Sequence, residues 1–170
     1  MTRIGRRLAL GLAGLICSGL ICVGGCSTEA GGPPAPAPGN RTAELRDTAV
    51  RAAEQTAVAV ISLDRRDPEA GYARLLARLS GPARQEWEQQ RAPRLAELTS
   101  DAVSVEQPAV TASGVAALDP AAPTATVLVA AGARVSSKQA PVAQERRYRL
   151  RLSLDRTAGE WKVSELQFVP

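Results

Sequence analysis

Histidine is absent from all 170 residues, and only five aromatic side chains occur, two Trp, two Tyr and one Phe. The first absence excludes Ser-His-Asp and Cys-His catalysis, Asp-His proton transfer and every histidine-ligated metal site. The second removes the stacking surface that holds single-stranded nucleic acid. A strong charge excess is missing too. Three of the 21 basic residues, Arg3, Arg6 and Arg7, precede residue 8, so a chain beginning at Cys26 carries 18 basic against 17 acidic side chains. No nucleic-acid partner is expected of so neutral a body. No cofactor and no metal are expected either, and the composition leans away from an enzyme. At this length there is room for one domain.

What is present begins with an ordered N-terminus. Met1–Arg7 is short and positive, Leu8–Val23 is apolar, and Gly24-Gly25-Cys26 follows. That order is the n-region, h-region and small-residue cleavage site of a secretory signal, predicted over residues 1–25. The rival reading is a retained membrane span. The apolar run has 16 residues and contains Gly11, Gly14 and Gly19, against the ~20 apolar residues that a span needs.

Val23-Gly24-Gly25-Cys26 resembles the lipobox of bacterial lipoproteins, an aliphatic residue and two small ones before a cysteine. The resemblance implies that the Cys26 thiol receives a diacylglycerol and that the peptide is cut just before it. The plainer alternative is that Cys26 is one more small residue beside a signal cleavage site. Cys17 and Cys22 would leave with the leader, so no disulfide can form within one mature chain. Two acyl chains on one residue suffice for stable anchoring, where a single chain binds reversibly. The expected location is the outer face of the cell membrane. Ser27–Asn40 carries Pro33, Pro34, Pro36 and Pro38 among glycines. As polyproline II at about 3.1 Å per residue, it would reach up to about 40 Å, a tether over residues 26–40.

The body, residues 41–170, changes period once. Between Arg41 and Asp64 there is no Gly or Pro, and Leu45, Ala49, Ala52, Thr56, Ala59 and Leu63 recur at helical spacing. Asp67-Pro68-Glu69 opens a second helix with Tyr72, Leu75, Leu76 and Leu79 on one side. Ser80-Gly81-Pro82 opens a third, anchored by Trp87, Leu95 and Leu98 and kinked or divided at Pro93. After Ser100 the period becomes two. Strands are predicted from Val103 to Leu118 with a bend or bulge at Pro108, over Thr124–Val135, through Tyr148, Leu150, Leu152 and Leu154, and, after a turn at Ala158-Gly159, over Glu160–Val169. On the last, Trp161, Val163 and Glu165 share one face by alternation and Leu166 and Phe168 the other, a switch that predicts a twist or bulge between Val163 and Leu166. Helices followed by strands argue an α+β fold, N-terminal helices packed on a curved four-stranded antiparallel sheet.

This ordering resembles the nuclear-transport-factor-2-like (NTF2-like) cone. Asp64-Arg65-Arg66-Asp67, Tyr72-Ala73-Arg74-Leu75-Leu76, Ser113-Gly114-Val115, Ala125-Thr126-Val127-Leu128-Val129 and Gly159-Glu160-Trp161-Lys162-Val163-Ser164-Glu165-Leu166 resemble the Mce-associated membrane proteins. These are accessories of the mammalian-cell-entry lipid importers of actinobacteria. The likeness spans residues 41–169 and carries no catalytic signature. It implies a non-enzymatic, lipid-anchored scaffold or stabiliser whose partners are Mce-type importer subunits and the membrane. The alternative is an extracytoplasmic carrier holding a small ligand or lipid in the cone.

Three sets of side chains are candidates for function. Tyr72, Trp87, Tyr148, Trp161 and Phe168 could line a cone pocket, although ordinary core is the simpler account of large apolar groups. Arg147, Arg149 and Arg151, next to Arg146, should project from one strand face toward anionic headgroups or an acidic partner, or form a solvated face that discourages edge pairing. Asp64, Asp67 and Glu69 cluster in sequence, and helix capping and the helix dipole account for them.

Overall fold

The computed structural model describes residues 38–170. The leader, Cys26 and the proline stretch before Pro38 lie outside the described residues. Helix α1 (Pro38–Ile61) begins three residues before the expected start, with Pro38 in the first turn, where a missing amide costs nothing. It buries Leu45, Ala49, Ala53, Thr56, Ala57 and Val60. The buried stripe is therefore rotated from the expected one, with Ala52, Ala59 and Leu63 at its half-buried margin. Small residues in the stripe let the helix lie close to the sheet, and it touches all four strands. The Thr56 hydroxyl, deep in this contact, donates to the Ala52 carbonyl at 2.8 Å and so is not left unpaired.

Helix α2 (Pro68–Leu76) buries Tyr72, Leu75 and Leu76. Leu79 then runs beside the last strand as an isolated parallel bridge to Val163. Ser80 N–H donates to the Val163 carbonyl at 2.8 Å, and Val163 N–H to the Arg78 carbonyl at 3.0 Å. Helix α3 (Gly81–Gln89) and helix α4 (Arg91–Ser100) are one predicted helix divided. The division falls at Gln90, where ψ is near zero, and Pro93 sits in the first turn of α4, which tolerates it.

Four strands follow: β1 (Ser104–Asp119), β2 (Thr124–Ser136), β3 (Gln144–Thr157) and β4 (Glu160–Phe168). They form one antiparallel sheet in the order β1-β2-β3-β4. Three register shifts bend β1, the first beside Pro108, where Gln107 takes a φ of 50°. Ala158 and Gly159, both with positive φ, close the two-residue hairpin between β3 and β4. Alternation on β2 and β3 is as expected. Val127, Val129, Leu150, Leu152 and Leu154 are buried, and Leu128 on the opposite face is 47% exposed.

The expected face switch on β4 is a bulge at Ser164. Leu154 pairs with Val163 but Ser153 pairs with Glu165, which leaves Ser164 as the extra residue. The bulge corrects the simple alternation. Leu166 and Phe168 stand opposite Leu152 and Leu150, on the same face as Val163, and Glu165 is turned to the outer face. The fold is the expected α+β one, helices on a curved four-stranded antiparallel sheet. Among the described residues no helix packs on the outer face of the sheet, and none is long and apolar enough to cross a membrane.

Candidate functional site

Two surfaces emerge from this arrangement. The first is a cleft. Helix α4 packs on α2 and α3 but not on the sheet, and none of its residues is buried. A cavity of about 570 Å³ lies between it, the end of α1, the start of β1 and the ends of β3 and β4. Val60, Ile61, Leu98, Val105, Tyr148 and Phe168 give it apolar walls, and Arg94, Glu97, Asp101 and Arg146 give it charge.

The five candidate aromatics divide. Trp87, Tyr148 and Phe168 border the cleft, and Phe168, 53% exposed, meets Tyr148 edge-on at 6.2 Å. Tyr72 does not line it. Tyr72 is fully buried behind Trp87, its ring 5.9 Å from the indole and its hydroxyl donating to the Trp87 carbonyl at 2.6 Å. Trp161 also lies away from the cleft, where its indole N–H donates to the Thr48 hydroxyl on α1 at 2.9 Å. Burial raises the pKa of both tyrosines. Arg94 and Arg91 oppose the shift at Tyr72, and Arg146 opposes it at Tyr148.

The second surface is the outer face of the sheet. Arg147, Arg149 and Arg151 alternate with buried Leu150 and Leu152 and stand opposite Gly132, Ala130 and Leu128 on β2. All three are exposed. Arg147 pairs with Glu145 at 2.9 Å, and Arg149 donates to the Pro170 carbonyl at 3.0 Å. Opposite Arg147 and Arg149 the cross-strand positions, Gly132 and Ala130, are small, which leaves a shallow depression there. Arg146, next in sequence, points the other way, into the cleft.

The three acids do not form a site. Asp64 ends the turn after α1, where it accepts the Arg66 amide at 2.9 Å and Nε at 2.7 Å. Burial would raise its pKa, but hydrogen bonds from Arg66 and its charge prevail and lower it. Arg66 in turn donates to the Val105 carbonyl at 2.7 Å, which fastens the turn to β1. Asp67 occupies the N-cap position of α2 but makes no side-chain cap bond. It pairs instead with Arg74 at 3.1 Å, and Glu69 pairs with Arg91. Among the described residues no three metal-ligating side chains stand together.

The model of the family described as Uncharacterized protein Rv1363c/MT1408-like matches residues 39–170. The chain belongs to this family. The matched span of the Rv1363c/MT1408-like chain takes in all four strands and both surfaces. No curated protein matches it. Among solved structures, it is similar to the periplasmic domain of DotI, with 11% identity over 71% of this chain and 92% of that one and a TM-score of 0.57. An IcmL-like type IV secretion system protein from Legionella pneumophila shares 17% identity over 82% of this chain and 95% of that one, with a TM-score of 0.55. At such identities the likeness is one of fold.

Sequence reasoning missed Arg94 and Arg146 as cleft residues of the Rv1363c/MT1408-like chain. The parity of β3 held the signal for Arg146. It shares the face of Tyr148 and Leu150, not that of Arg147. No sequence signal marks Arg94, which depends on α4 standing away from the sheet.

Proposed function

We propose that the protein is a non-enzymatic extracytoplasmic accessory of a membrane-embedded assembly, anchored by acylated Cys26 and docked through the outer face of its sheet. The observation that carries this reading is the exposed guanidinium row of Arg147, Arg149 and Arg151 on a sheet face that no helix among the described residues packs on. Such a row suits an acidic partner surface or anionic headgroups at the membrane. Both solved neighbours support an accessory role by analogy of fold, since one is a periplasmic domain and the other a secretion-system protein. A scaffold needs no reactive group. In keeping with that, Asp64, Asp67 and Glu69 are each engaged by an arginine, and the whole sequence has no histidine.

At the finer level, the resemblance of residues 41–169 to Mce-associated proteins points to an Mce-type lipid importer as the assembly. The experiment is affinity purification of the tagged protein from solubilised membranes, with companions identified by mass spectrometry. Importer subunits should be recovered with the wild type and lost with the triple Arg147→Glu, Arg149→Glu, Arg151→Glu variant. Recovery of none, with the importer itself intact, refutes the Mce assignment. Equal recovery by the triple variant refutes the docking face.

A further inference from the structure

An amphipathic helix that buries only part of its apolar side is incomplete, and α4 is one: Leu95 packs against the core, while Leu98 stays half-buried at the cleft. Leu98 and, across the gap, the exposed ring of Phe168 form facing apolar walls with about 570 Å³ between them. That volume falls in the range of small-molecule sites. Apolar walls left to water forgo the free energy that a ligand's apolar chain would recover by covering them.

The charges around the gap are set for a ligand more than for one another. The Arg94 guanidinium stacks 4.5 Å from the centre of the Trp87 ring and is held by Gln90 Oε1, at 2.8 Å from Nε and 2.6 Å from Nη2. Its Nη1 makes no bond among the described residues. Arg146, on the sheet side, has neither a hydrogen bond nor an ion pair there. Glu97 and Asp101 border the same cleft and pair with neither arginine.

We infer that the cleft binds a single-chain lipid with a phosphodiester head, the acyl chain between α4 and the sheet and the phosphate on Arg94 and Arg146. Planar guanidinium groups match phosphate oxygens, and one already fixed by stacking and hydrogen bonds loses little freedom on binding. Glu97 and Asp101 oppose a second negative charge on the head, which selects a diester over a monoester. The cavity has room for one chain, not two. Because α4 packs on α2 and α3 and is tied to the sheet side only at its C-terminal end, where the Leu98 and Asp101 carbonyls accept from Val103 N–H at 3.1 Å and Lys138 N–H at 2.8 Å, the chain can enter without unfolding the core. This inference does not depend on the accessory reading.

Its test uses the two tryptophans. Trp87 borders the cleft and Trp161 does not, so a Trp161→Phe background of the full-length protein, purified from membranes, reports on Trp87 alone. The probes are lysophosphatidylethanolamine, lysophosphatidic acid and monoacylglycerol, each with the same brominated acyl chain, which quenches a nearby indole. Lysophosphatidylethanolamine should quench Trp87 saturably at a concentration at least tenfold lower than monoacylglycerol, whose identical chain controls for partition into detergent. Arg146→Gln and Arg94→Gln should each erase that preference, and Leu98→Phe, which fills the cleft without adding an indole, should abolish saturable quenching while far-UV circular dichroism stays unchanged. Equal quenching by the neutral lipid, or a preference that survives both arginine variants, overturns recognition of the head. Tighter binding of lysophosphatidic acid overturns the diester assignment. Absence of saturable quenching by every probe overturns the site.

Discussion

Tyr72→Phe is a one-atom test of how the helical layer is held together. Tyr72 lies in the middle of α2 with no exposed surface, and its hydroxyl reaches the Trp87 carbonyl at 2.6 Å. That carbonyl belongs to the last turn of α3, where a helix leaves its own acceptors unpaired. The tyrosine therefore caps α3 from a neighbouring helix, next to the break at Gln90 that releases α4 from the sheet. Phenylalanine keeps the ring and its 5.9 Å contact with Trp87, so the packing is unchanged and only the hydrogen bond goes. A net bond contributes about 1 kcal/mol, and a buried acceptor left bare costs about 1–3 kcal/mol. The expected loss is therefore about 1–3 kcal/mol. For a body of this size that lowers Tm by roughly 4 °C per kcal/mol.

Urea unfolding of wild type and variant, followed by circular dichroism, measures the loss directly. A change within about 0.5 kcal/mol, the scatter of ordinary surface substitutions, would refute the cap. The alkaline limb gives an independent reading. Burial, opposed by Arg94 and Arg91, raises the pKa of Tyr72, so the folded protein keeps its phenol neutral after the unfolded chain has begun to ionise. The stability gained in this way is fully present below a pH of about 10 and is lost as pH rises through the folded value. Tyr72→Phe should remove its share and leave the part due to Tyr148, the only other tyrosine, whose pKa is also raised by burial.

Asp64→Asn should cost about 1–3 kcal/mol, because it removes the charge that holds Arg66 and, through Arg66, the start of β1. The folded pKa of Asp64 is lowered, so its stabilisation is present above the unfolded value near ~3.9 and is lost as pH falls through the folded one. Acid unfolding of the Asn variant should show a shallower limb, and an identical limb would refute the assignment. Deleting Ser164 should destabilise by roughly 1–2 kcal/mol, chiefly because half-buried Leu166 is turned outward, Phe168 being already 53% exposed. A deletion variant that unfolds at the wild-type urea concentration would show that the bulge is dispensable. Cys26→Ala should block both cleavage and acylation, and an unchanged mature mass would exclude the lipobox reading.

Most of the fold was legible because its elements obey one period each. Tyr148, Leu150, Leu152 and Leu154 alternate with arginines and serine so regularly that their sheet face follows from parity alone. Pro108 and Ala158-Gly159 marked a bulge and a turn through backbone chemistry that is local to those residues. The stripe on α1 was harder. With alanine at most inward positions, neighbouring helix faces differ little in hydrophobicity, so a rotation of one residue left no trace in composition.

The cleft was not legible, and the reason is physical. A cavity exists where elements fail to meet, and periodicity reports only which face of each element is apolar. Trp87 and Tyr72 look alike in sequence, yet one borders the gap and the other fills the space behind it. What separates them is the break at Gln90, which turns α4 away from the path of α3 so that Leu98 faces Phe168 across open space. The same local event brings Arg94 over Trp87 and opposite the wall that carries Arg146. The β4 bulge supplies the other half. Without Ser164 as the extra residue, Phe168 would lie on the outer face among the arginines, and the cleft would lose its exposed aromatic wall. Two irregularities, one in the helical layer and one in the sheet, thus build the cleft, while the regular alternation of β3 builds the arginine row behind it. The two surfaces lie on opposite faces of one sheet, so a partner on the arginine row would leave the cleft open to a lipid.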